Sequence, residues 1–179
     1  MVTGFNAGAE PEVDDGGLLS QAAALAGSMV AIVRHSGRSG TRQEFETLIA
    51  GLEGVALEYP ENVYVQRLLN AETRRQITDF AQFYEEVPKQ NQVNDFKMAA
   101  LNRCAQAAEW LDANVSPQDA AVVKTSILTV CRRVATESSE EGVMSFSAGD
   151  AENNIDVAEQ SALDEIARAL GAVYVTGAM

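Results

Sequence analysis

An all-α fold follows from three features of this 179-residue chain. Apolar residues recur at three- and four-residue spacings, which line one face of a helix. Between these segments stand helix-start and helix-stop signals, Ser, Thr, Asn or Asp before the runs and Gly or Pro after them. Ala is abundant while aromatics reach only 6% and Pro only four residues, a balance that favours helix over sheet. A chain of this length buries about 70% of its unfolded surface and needs no covalent staples. The expectation is one compact bundle of six to seven helices built from helical hairpins, spanning 17–171. An acidic tail, 1–16, precedes it and a short tail, 172–179, follows.

The first helix is expected from about Leu18 to Arg34. Leu18, Leu19, Leu25, Met29, Val30, Ile32 and Val33 cover most of its circumference, so neighbours should bury it on several sides and make it central. Its apolar stretch is broken by Ser20, Gln21, Gly27 and Ser28 and falls short of the roughly twenty residues of a membrane span. "RHSGRSG" stops it. Thr41 with Glu44 reads as a capping box for a second helix carrying Phe45, Leu48, Ile49 and Leu52, with Gly54 at its end. Pro60 is placed in the first turn of a short helix anchored by Val63, Val65, Leu68 and Leu69.

Asn70 caps the next helix, expected to run from Ala71 to about Val87, with Ile77, Phe80, Ala81 and Tyr84 inward and Pro88 closing it. A long helix follows from about Asn94 to Ala113. Ser116 as cap, Pro117 at the first helical position and Asp119 at the third form the strongest start signal in the chain. That helix should reach Thr136. Asp156 with Glu159 starts the last one, and Gly171 ends it. The only β-like run, "GAVYVTGAM", is too isolated to pair.

The net charge of −13 argues against nucleic acid and against anionic membrane surfaces, since both need clustered Lys and Arg. Basic partners and divalent cations fit it. The opening residues show neither a basic start nor an apolar run, so no signal peptide is expected and the cytoplasm is the default location. Cys104 and Cys131, on a hairpin turning near Val115, are offset by about one helical turn and are expected as buried free thiols.

His35 is the single histidine, and no nucleophile or orienting acid is nominated beside it. "GRSG" follows no strand, so it lacks the setting of a phosphate loop. One His and two distant Cys do not make a zinc site. The sharpest chemical candidate is "DAENNIDVAE": Asp150, Glu152, Asn154 and Asp156 alternate, with Glu159 beyond. Carboxylates in such a pattern suit a hard cation such as calcium. The run departs from an EF-hand by Ile155 at the sixth position and Ser161 at the twelfth. A solvated loop capped by Asp156 explains the same residues and is the expected reading, with a weak cation site at best as the alternative.

The run "AALNRCAQAAEWLDANVSPQDAAVVKTSILTVCRRVATESS", the Gly/Ser loop after it and "VAEQSALDEIARALG" together resemble the tellurite-resistance TerB-like family. The resemblance is best over about 99–171. It implies an all-helical, stress-associated domain able to bind cations and to work within larger assemblies, and no enzymatic activity. The family's acidic first turn is replaced by Arg34-His35-Ser36-Gly37-Arg38, which puts a cation there in doubt. The reading is a non-enzymatic interaction module with a protein partner. The alternative is an enzyme with a carboxylate-lined cleft between two helical halves.

Overall fold

The computed structural model describes residues 15–33, 38–140 and 155–172. Among them are six helices and no strand: α1 (Asp15–Val33), α2 (Arg38–Glu58), α3 (Ala71–Phe83), α4 (Gln90–Asn114), α5 (Pro117–Glu140) and α6 (Val157–Ala169), with a single 3-10 turn at Val65–Arg67. They pack into one bundle, as the periodicity requires. None of the described helices is long and apolar enough to cross a membrane.

α1 is the axis of the bundle and touches every other element. Ala22, Ala23 and Ala24 are consecutive and all buried; at about 100° per residue, three consecutive buried positions mean cover on most sides. Small side chains also let neighbours come close. α4 lays Ala100, Cys104, Ala107 and Ala108 into the shared core, and the Cys104 sulfur sits 3.9 Å from the Ala22 carbonyl oxygen. α2 packs mainly along α5, where a Cβ on Gly51 would stand 3.0 Å from Val130 Cγ1.

This pairing corrects one expectation. α4 and α5 are consecutive, yet they do not lie face to face; α4 pairs with α1 and α5 with α2, and the two share only a small contact. α1 takes the apolar face of α4 that a hairpin would have given to α5. Lys124 Nζ reaches Asp112 Oδ1 at 2.6 Å across this junction. The cysteines are free and buried as expected, although not by the hairpin register.

Helix ends follow local hydrogen-bond chemistry where that chemistry is exposed. Asn70 Oδ1 accepts the Thr73 N–H at 2.8 Å. Ser116 Oγ accepts the Asp119 N–H at 3.1 Å and donates to Asp119 Oδ2 at 2.8 Å. Gly171 adopts φ +61°; its N–H bonds the Arg168 carbonyl and that of Ala172 the Ala167 carbonyl, a Schellman closure.

Elsewhere burial overrides the local signal. α2 begins at Arg38, so Thr41 lies inside the helix and is 1% exposed instead of capping it. α2 also runs through Gly54 to Glu58, because Val55 extends the stripe of Phe45, Leu48 and Leu52 and is itself buried. Burying a Val offsets the roughly 1 kcal/mol that a helical Gly costs. α3 stops at Phe83, four residues early. Tyr84 turns its ring onto Phe96 of α4, with centroids 5.7 Å apart, and Phe80 meets the same ring at 5.2 Å. α4 starts at Gln90, earlier than Asn94, with the Lys89 N–H donated to Gln92 Oε1. Pro60 sits in a turn outside any helix, and Asn62 Oδ1 accepts from the N–H groups of Tyr64 and Val65 to begin the 3-10 turn. Val65 and Leu68 are buried there, while Val63 is exposed.

Candidate functional site

Of the five residues in the acidic run, Asp150, Glu152 and Asn154 lie outside the described residues, as does His35. Asp156 and Glu159 are described, and they form a reciprocal cap. Asp156 Oδ1 accepts the Ala158 N–H at 2.8 Å, and Glu159 Oε2 accepts the Asp156 N–H at 3.0 Å. Both carboxylates thus serve donors that the first turn of α6 leaves without intrahelical partners. Asp156 is exposed, whereas Glu159 is 1% exposed. The sequence marked Glu159 as a capping acid but gave no sign of that depth. No three His, Cys, Asp or Glu side chains among the described residues converge as metal ligands would.

At the same end of the bundle lies a groove of about 380 Å³, where the last turn of α1 meets the first turns of α4 and α6. Ile32 and Ala162 form its buried side. Val93 lines it from α4, and Val87 and Pro88 rise beside it from the α3–α4 connection. Val87 is 76% exposed, and Val157, next to the lining residue Ala158, is 85% exposed. Val87 is therefore an aliphatic side chain that both lines the concavity and stands open to water. Lys97 also lines the groove, held by Glu165 of α6 at 2.7 Å. Sequence reasoning missed this groove. Its one local trace is "FYEEVP", whose apolar residues outlast the helix that carries them.

Two further depressions are more polar. One, about 250 Å³ between α1 and α3, is lined by Ser20, Asn70, Thr73, Arg75 and Asp79. Its buried hydroxyl is satisfied within the protein: Ser20 Oγ donates to the Gly17 carbonyl and accepts from Asn70 Nδ2, both at 3.2 Å. The other is a broad surface beside Trp110, Arg103 and Glu109.

The thiols offer no nucleophile. Burial pushes Cys104 up to about 12 and raises Cys131 further above its ordinary value, with the nearby Cys104 adding a smaller push. At neutral pH both stay protonated, and the thiolate is the reactive form.

No family model, curated protein or solved structure matches this chain.

Proposed function

We propose that the chain is a non-enzymatic helical interaction module, TerB-like in kind and stress-associated, which docks an apolar segment of a protein partner in the groove between α1, α4 and α6. The observation that carries this is a half-apolar concavity whose lining includes the exposed Val87. In helix-in-groove recognition an amphipathic helix lays its apolar face into such a concavity. The TerB-like part rests on the resemblance, and the reciprocal cap at Asp156 and Glu159 is in keeping with it.

A divalent cation at Asp150, Glu152, Asn154, Asp156 and Glu159 is a secondary and weak feature of this reading. Asp156 and Glu159 each commit one carboxylate oxygen to a backbone N–H at the start of α6, and Glu159 is 1% exposed, so few oxygens are left for a cation. Calorimetry should therefore detect calcium only weakly, in the range of about 10⁻⁴–10⁻³ M.

The groove is tested by nuclear magnetic resonance with a Leu/Ala amphipathic peptide of about sixteen residues, long enough to form a helix when docked. Amide shifts should concentrate at Val33, Val87, Val93 and Ala162 and vanish in Val87→Ser. Shifts scattered over the molecule, or none at millimolar peptide, would reject the reading.

A further inference from the structure

We draw no further inference here: the strongest candidate, the polar depression between α1 and α3, carries nothing because its Ser20 hydroxyl is satisfied by Gly17 and Asn70 within the protein, its charged Glu72, Arg75 and Asp79 are exposed to water, and nothing in the structure shows what ligand would fill it.

Discussion

Gly27 of α1 and Leu48 of α2 are interlocked: a Cβ on Gly27 would stand 2.2 Å from Leu48 Cδ1. Leu48 is fully buried and has nowhere to swing. Ala in place of a helical Gly normally stabilises by roughly 1 kcal/mol, while forcing a methyl into a packed core costs about 1–3 kcal/mol. Crowding should win. Gly27→Ala is expected to lower stability by about 1 kcal/mol, read from the denaturant midpoint. In the background of Leu48→Ala the same change should become neutral or stabilising, because the methyl then fills a void. Additive effects in the double variant would contradict the interlock.

Gly171 offers the contrasting case. A Cβ there meets nothing nearer than Lys124 Nζ at 3.9 Å, so space is available, but φ is +61°. The cost of Gly171→Ala is backbone strain alone, about 1–2 kcal/mol. Gly171→Asn should recover part of it, since Asn tolerates the left-handed region. Equal melting temperatures for wild type and Gly171→Ala would show that the Schellman closure does not hold in solution.

Met29 is 1% exposed in the central helix. Met29→Asp buries an unpaired carboxylate, at a cost of several kcal/mol, and should prevent folding. Circular dichroism showing a cooperative melt for this variant would contradict the central placement of α1.

The thiols give a pH signature. Folding raises their pKa values, from an ordinary 9.0 to about 12 for Cys104. The unfolded chain therefore releases these protons first as pH rises. Their contribution is fully present below pH 9 and is lost progressively as pH climbs towards 12, on the order of 1 kcal/mol per thiol by about pH 10. Stability measured between pH 8 and 10 should fall less in Cys104→Ala/Cys131→Ala than in wild type. In the native protein iodoacetamide should label neither thiol within the time that modifies unfolded chain.

What the sequence made legible were features written in neighbouring residues. The Ser116–Pro117–Asp119 start, the Asn70 cap and the Asp156–Glu159 box are hydrogen-bond patterns completed within four residues, and all three stand where expected. The same kind of pattern failed at Thr41. There, core contacts extend α2 back to Arg38 and bury the residue that was to cap it. The pairing of α4 with α1 was illegible for a related reason: which apolar face takes which is settled between segments about eighty residues apart. The groove depends on three helix ends meeting, and no single segment encodes that. The outer members of the acidic run fall outside the described residues, so their geometry adds nothing to either side of that comparison.

The central position of α1 has a consequence for how the chain is made. α1 precedes in chain order every helix that covers it, and its main partner, α4, ends at Asn114. At about 5–20 residues per second, α1 leaves the ribosome on the order of ten seconds before α4 is complete. During that interval α2 and α3 can cover part of it, but the face that α4 takes stays exposed. Its run of alanines makes the wait tolerable, because a small side chain offers little area for a wrong partner to bury. Chaperone capture during synthesis is therefore expected at α1, with release once α4 has emerged.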